Sequence, residues 1–321
     1  MRKQKVFVIF GYTLSTMRSL IGFSTSAPQV LSIRLVDRLG KGIRTAPRDA
    51  WLSRQATKES LGRVFGFHRG MDNLGAAIAP LLATIFLIFY PGEIRTLFLL
   101  TIVPGLVSLY FVYRAMKEPS ATKQAEVPVD QVEWKDLLHF PPHFYRAMFL
   151  FFLFALGASA DSFLILKLHD LGLPIAYVPL VWMALNAMKS AAAFWGGGVS
   201  DRVGARSALM VGWLVYTGCY GIFAFSDSIE VFLIAFLIYG FSYGLIEAPE
   251  KAMVAQMSTD GRKGTAFGFY HLTVGIAYLP ANLVVGWLWT KYGSTFALLF
   301  SSLLALSASA GLLFCNKKSL S

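Results

Sequence analysis

"APRDAWLSRQATKESLGRVFGFHR", residues 46–69, aligns without a gap on "APEKAMVAQMSTDGRKGTAFGFYH", residues 248–271, at a constant offset of 202. Eight of the 24 positions are identical: the Ala-Pro pair, Ala50 with Ala252, Thr57 with Thr259, Gly62 with Gly264, and Phe-Gly-Phe at 65–67 with 267–269. Self-similarity at one fixed offset marks a structural unit used twice, so the chain has to be read as two related halves. The surroundings of the two copies show the material of that unit.

Each copy lies between apolar runs, and such runs recur along all 321 residues. Charged residues make up 15% of the chain and hydrophobic ones 55%, whereas a soluble domain carries roughly a quarter charged residues. Stretches of about 20 apolar residues, enough to cross a bilayer as helix, predict ten spans. They fall at 6–24, 27–49, 64–90, 95–114, 146–167, 174–198, 207–225, 229–249, 265–288 and 295–315. The expected class is all-α, a polytopic membrane bundle of two pseudo-symmetric halves. The net charge of +11 does not point to nucleic acid, because the basic residues fall on alternate loops. With the N-terminus inside, the inner segments hold twenty Lys and Arg, and the outer loops hold Arg95, Lys167 and Lys291. The positive-inside rule then predicts a multi-pass protein of the cell (inner) membrane with both termini cytoplasmic.

Met116 to His143 is the one long polar segment, with the Pro, Glu and Lys content of a linker. It divides the chain into an N-terminal half, 1–115, with four spans, a cytoplasmic linker, 116–143, and a C-terminal half, 144–321, with six. Both copies of the repeat run from the inner end of one helix through a basic loop into the next. The halves are therefore related by an axis along the membrane normal, as parallel transporter repeats are. By that symmetry the span at 27–49 matches the fourth span of the second half, and two further helices are expected upstream of Met1.

Three motifs carry a family resemblance. "GGVSDRVGAR", 197–206, resembles the loop signature Gly-x-x-x-Asp-Arg-x-Gly-x-Arg of the major facilitator superfamily. "RLVDRLGKG", 34–42, is similar to its fourth-helix Arg-x-x-x-x-x-Gly-x-Gly pattern. "GAAIAPLLA", 75–83, looks like a degraded form of the fifth-helix Gly-Pro motif of antiporters, with Ala79-Pro80 in place of Gly-Pro. The resemblance implies a twelve-helix secondary transporter with a central cavity, working by alternating access on an ion gradient. It also implies helix packing at Gly75 and Pro80 and, through the partial Gly-Pro motif, a tilt to efflux. The chain departs from that pattern in lacking the first two helices and the first copy of the loop signature.

Seven charges crowd residues 34–50, yet Arg34, Asp37, Arg38, Lys41, Arg44, Arg48 and Asp49 fit inside a sector of about 140° at about 100° per residue. Leu35, Val36, Leu39, Ile43 and Ala46 take the opposite side, so the segment reads as an amphipathic helix. A charge facing lipid at mid-depth costs ~2.5–3.5 kcal/mol even on the lenient insertion scale. The charged face must look into protein or water. Arg34, Asp37, Arg38 and Lys41 are the expected cavity set, whose cationic excess favours an anionic or polar substrate group. Structural pairing with Asp37 or Asp72 is the plainer alternative for these cations.

The aligned copy carries opposite charges. Arg48-Asp49 stands against Glu250-Lys251, which predicts salt bridges between the halves at the inner mouth. The loop signature, Gly197, Asp201, Arg202, Gly204 and Arg206, has the chemistry to lock helix ends together, an Asp at a helix terminus and basic residues in a glycine turn. Arg69 and Asp72 are three apart and read first as a pair on one helix. Asp161 has no cation within a turn of its own helix, so it needs one from a neighbour, such as Lys189, or a proton. It is the first candidate for proton coupling, followed by Asp72 and Glu247. Asn186, Tyr243 and His271 complete the expected cavity lining.

No nucleotide-binding loop, zinc-protease, paired-cysteine or serine-elbow motif occurs, and no cofactor or metal is expected. Cys219 and Cys315 show no ligand spacing. The reading is a non-enzymatic permease, expected as a monomer, whose partners are the lipid bilayer, a small solute and the proton. A truncated or non-transporting membrane protein with the same fold is the second reading.

Overall fold

The computed structural model describes residues 2–117, 140–259 and 261–314; most of the expected linker, together with Cys315 and the residues after it, lies outside them. Among the described residues every regular element is helical, and the expected all-α class is the one observed. The helices are α1 (Arg2–Thr16), α2 (Ala27–Arg54), α3 (Leu61–Phe89), α4 (Ile94–Leu100), α5 (Ile102–Lys117), α6 (Pro142–Gly157), α7 (Asp161–Asp170), α8 (Val178–Val203), α9 (Ala205–Phe225), α10 (Ile229–Ser242), α11 (Glu247–Gln256), α12 (Lys263–Tyr292) and α13 (Ser294–Phe314).

Eight stretches of the described helices are long and apolar enough to cross a membrane, which corrects the expected count of ten. The two that drop out are α2 and α8. At 28 and 26 residues they are long enough, but α2 carries the charges of 34–50, and α8 holds Asn186, Lys189, Ser190, three consecutive glycines and Asp201. A helix that turns a polar face to protein need not be apolar all round. Several spans are also interrupted. The Lys5–Phe23 span joins α1 to a 3-10 turn at Met17–Phe23, α6 and α7 are parted at 158–160, and a 3-10 turn at Tyr243–Leu245 separates α10 from α11.

Residues 2–55, 79–117 and 261–268 form one compact unit. Here α1 crosses α2 closely, since a Cβ on Gly11 would strike the Gly40 carbonyl oxygen and a Cβ on Gly40 the Gly11 carbonyl oxygen. The crossing sets the Arg44 guanidinium 3.9 Å from the centre of the Tyr12 ring, a cation–π contact. Lys5 Nζ donates to the Met116 carbonyl in the last turn of α5, where a cation is favoured by the helix dipole.

Residues 56–78, 140–259 and 269–314 form the second unit. Its core is aromatic: Trp213, Tyr216, Tyr220 and Phe223 from α9 and Phe232, Phe236 and Tyr239 from α10 are fully buried. Trp213 stacks on Phe154 at 4.7 Å and Tyr216 on Tyr220 at 4.4 Å. Pairs of this kind add ~0.5–1.5 kcal/mol beyond the area they bury. In lipid, where hydrophobic exclusion between helices is absent, such packing is what holds them together. The start of α3 lies against α8. A Cβ on Gly62 would collide with the Gly197 carbonyl oxygen, and one on Gly66 with the Ala193 carbonyl oxygen and the Gly197 Cα. Small residues four apart on each helix let the backbones touch.

Candidate functional site

The break between α6 and α7 frees backbone groups in the middle of a span, where no water can satisfy them. Side chains do so. The Ala160 amide donates to Asn282 Oδ1 on α12 at 2.9 Å and the Gly157 carbonyl accepts from the Tyr216 hydroxyl at 3.3 Å, while beside them the hydroxyls of Ser159 and Tyr220 pair with each other at 2.9 Å. Asp161 then opens α7 with its carboxylate turned to α8 and α10. Lys189 Nζ donates to Oδ2 at 2.7 Å and the Tyr239 hydroxyl to Oδ1 at 2.5 Å. The Tyr243 hydroxyl lies 3.1 Å from that of Tyr239, and its ring centre is 4.0 Å from Lys189 Nζ. The side chains of Asp161 and Lys189 are 18% and 8% exposed, so the pair is mostly but not fully dry. One carboxylate, one ammonium and two phenols thus form a satisfied network at membrane depth, supplied by three helices and the 3-10 turn after α10.

A second cluster joins α3 to α11. Arg69 Nη2 donates to Glu247 Oε1 at 2.7 Å, and Arg69 Nε pairs with Glu247 Oε2, a two-point contact of guanidinium and carboxylate. Asp72 lies 3.8 Å from both Arg69 and His68. With Arg69 37% and Asp72 47% exposed, this cluster is the more open of the two. The expected pair of Arg69 with Asp72 is present, but the closer partner of Arg69 is Glu247, 178 residues away. Among the described residues no three His, Cys, Asp or Glu come together in a way that could hold a metal ion.

The loop signature acts at helix ends. Asp201, in the last turn of α8, accepts from the Gly62 amide at 2.7 Å on Oδ1 and from the Arg63 amide at 3.0 Å on Oδ2, with Arg63 Nε at 3.2 Å. It therefore caps the first turn of α3 from another helix, meeting two donors that would have no partner along α3 itself. Gly204 has φ +89°, the left-handed region that lets α8 stop and α9 start within one residue. Arg206 donates to the Leu312 and Leu313 carbonyls at 2.7 and 3.2 Å, holding the last turn of α13. Arg202 is exposed. Gly197 serves the close contact with α3.

The remaining expected residues are spread over several helices. On α2, Leu31, Leu35 and Leu39 are exposed along one stripe, and Asp37 is buried, 3.6 Å from Lys41. Arg34 and Arg38 are exposed. Arg48 contacts Asp49 at 3.1 Å, while Glu250 is buried and accepts from Tyr270. Lys251 Nζ sits 5.9 Å from the centre of the Phe65 ring. Asn186 Nδ2 donates to the Trp182 carbonyl of its own helix, and the His271 ring lies 4.9 Å from that of Tyr270. Gly75 is exposed with open space where a Cβ would stand, and Pro80 is inside α3. Tyr220, Ser159, Asn282 and Tyr270 did not emerge from sequence reasoning. An asparagine inside the apolar 265–288 run was the one local signal among them.

The chain is similar to several known proteins. The profile described as Major Facilitator Superfamily matches residues 2–280. An uncharacterised MFS-type transporter of Methanocaldococcus jannaschii is 30% identical over 319 residues, 98% of this chain and 79% of that protein. An uncharacterised protein of Mycobacterium tuberculosis is 26% identical over 293 residues, 90% of this chain and 71% of the other. Among solved structures, a human organic anion transporter superposes with a TM-score of 0.78 at 16% identity, covering 96% of this chain and 82% of that one. A fucose:proton symporter of Escherichia coli gives 0.76 at 13% identity, over 98% and 84%.

Proposed function

This chain belongs to the major facilitator superfamily, and on that premise we propose that it is a secondary active permease moving a small solute across the cytoplasmic membrane by alternating access, coupled to protons. The Asp161–Lys189 pair carries the reading. A proton on Asp161 cancels the charge that holds Lys189 and frees the ammonium to turn toward a solute. Loss of the proton restores the pair. A cycle needs two arrangements whose balance a bound proton can shift, and a largely dry ion pair on a broken helix supports that. Asp72 and Glu247, in the more open cluster, are the further carboxylates through which protons would couple.

Substrate contact is assigned to Arg69, Asp72, Lys189, Tyr243, Glu247, His271 and Asn186, with Arg34, Asp37, Arg38 and Lys41 of α2. The exposed Arg34 and Arg38 favour a solute with an anionic group. The resemblance of 75–83 to the Gly-Pro motif favours export. The capping of α3 by Asp201 and the hold of Arg206 on α13 are the contacts expected to open and close with the cycle. Arg48, Asp49, Glu250 and Lys251 are placed at the same end by the repeat.

Proteoliposomes that enclose a pH-sensitive dye test this. Pools of organic anions, sugars and amines are added outside without an imposed gradient, and a transported solute changes the internal pH as it moves. With Asp161→Asn the solute still binds and the pH change is lost. If no pool moves protons, and none is accumulated under an imposed pH gradient, the protein is not a proton-coupled carrier of these solutes.

A further inference from the structure

Glu250 is a buried carboxyl group that the Asp161 network does not use. It lies in the first turn of α11 and is 7% exposed. Its Oε2 accepts the Tyr270 hydroxyl at 2.7 Å. Among the described residues it takes part in no ion pair within 4.0 Å. The titratable and charged groups facing it are Glu247 and Lys251 from α11 itself and Tyr270 and Tyr278 from α12. Glu247 is engaged by Arg69, and Lys251 lies over the Phe65 ring. From α9 comes Trp213, whose buried indole N–H is a further donor facing the carboxyl. Around these, Phe151 sets its ring 5.7 Å from that of Tyr270 and 6.2 Å from that of Trp213. An ionised carboxylate in such a place has lost its hydration and gained no ion pair, which proteins avoid by pairing or by protonation. Glu250 is not paired.

The position also adjoins a break in the span. The 3-10 turn Tyr243–Leu245 precedes α11, and its Gly244 is pressed so closely on α8 that a Cβ there would strike the Ala192 carbonyl oxygen. A change at that interruption would carry with it the first turn of α11, where Glu250 lies.

We propose that Glu250 is a second proton-carrying group, holding a proton on Oε1 while Tyr270 donates to Oε2, and releasing it when α11 separates from α9 and α12. The O–H bond at Oε1 breaks, the proton passes to water, and the carboxylate left behind is hydrated. The inference rests on the proton-coupled reading above and extends it from one site to two.

Infrared spectroscopy of the purified full chain in lipid nanodiscs tests it. The carboxylic-acid C=O stretch is separate from the amide band. The wild type is expected to keep such a band at neutral pH, to lose it in Glu250→Gln, and to retain it in Asp161→Asn. Tyr270→Phe, which removes a hydrogen bond from the C=O, is expected to move the band to higher wavenumber, and it serves where Glu250→Gln does not fold. Identical spectra for wild type and Glu250→Gln, or an unmoved band in Tyr270→Phe, would overturn the proposal. A band that behaves as expected in a protein that moves no protons in proteoliposomes would defeat proton-coupled transport and leave the Glu250 assignment standing. Proton movement without the band would do the reverse.

Discussion

Asp161 and Lys189 are separated by 28 residues and one helix boundary, and their contact depends on three things the residues do not carry themselves. α7 must start at Asp161, α8 must pass beside it, and Tyr239 must supply the second donor. The need for a partner is readable from the sequence, because a lone acid in an apolar run cannot stay charged. The sequence offers Lys189 as one such cation, and only the fold selects it, since any cation on any neighbouring helix would serve. Removing one member of a mostly buried pair leaves the other uncompensated, which typically costs ~3–5 kcal/mol. Lys189→Met is therefore expected to lower the melting temperature markedly, and the double variant Asp161→Asn with Lys189→Met to recover a large part of the loss. Thermal unfolding in detergent, arranged as a double-mutant cycle, checks this. Strict additivity of the two changes would mean the pair contributes nothing.

The repeated Ala-Pro shows at the scale of elements how one motif gives two outcomes. In the first copy α2 runs unbroken through Pro47, while in the second the chain stops at Ser242, makes a 3-10 turn and restarts, with Pro249 in the first turn of α11. At the shared offset Gly42 has open space where Gly244 abuts Ala192. The glycines align, and only one is needed for close approach. A proline in a first helical turn removes an amide that would have had no partner in the helix, so the broken copy carries its proline at lower cost. The cap supplied by Asp201 is a second case. The Gly-x-x-x-Asp-Arg spacing identifies a helix-end device, but its targets, the Gly62 and Arg63 amides, lie 139 and 138 residues away. Asp201→Ala is expected to destabilise the start of α3 by about 1 kcal/mol, the usual loss for a capping side chain. Faster hydrogen exchange at these two amides reports it, and unchanged exchange would show the cap idle. Gly66→Leu, which forces a side chain into the Ala193 carbonyl, is expected to cost more than Asp201→Ala.

The membrane class, and the orientation expected within it, are properties of the whole molecule. Labelling with a membrane-impermeant maleimide, with Cys219 and Cys315 replaced, tests the inside placement of both termini. Asp170→Cys is expected to react in intact cells and Glu59→Cys only after permeabilisation. The opposite pattern would invert the topology, and equal labelling would break the alternation of loops. Hydropathy, charge asymmetry and the 202-residue repeat are sums over local composition, so they survive in the linear chain and suffice for an all-helical membrane protein built on two related halves. The polar contacts are different in kind. Where α6 gives way to α7, and that Glu250 meets the Tyr270 hydroxyl without forming an ion pair, both depend on which helices touch. That is decided by close packing between residues far apart in sequence, where glycines let backbones meet and each buried donor or acceptor must find a partner away from water.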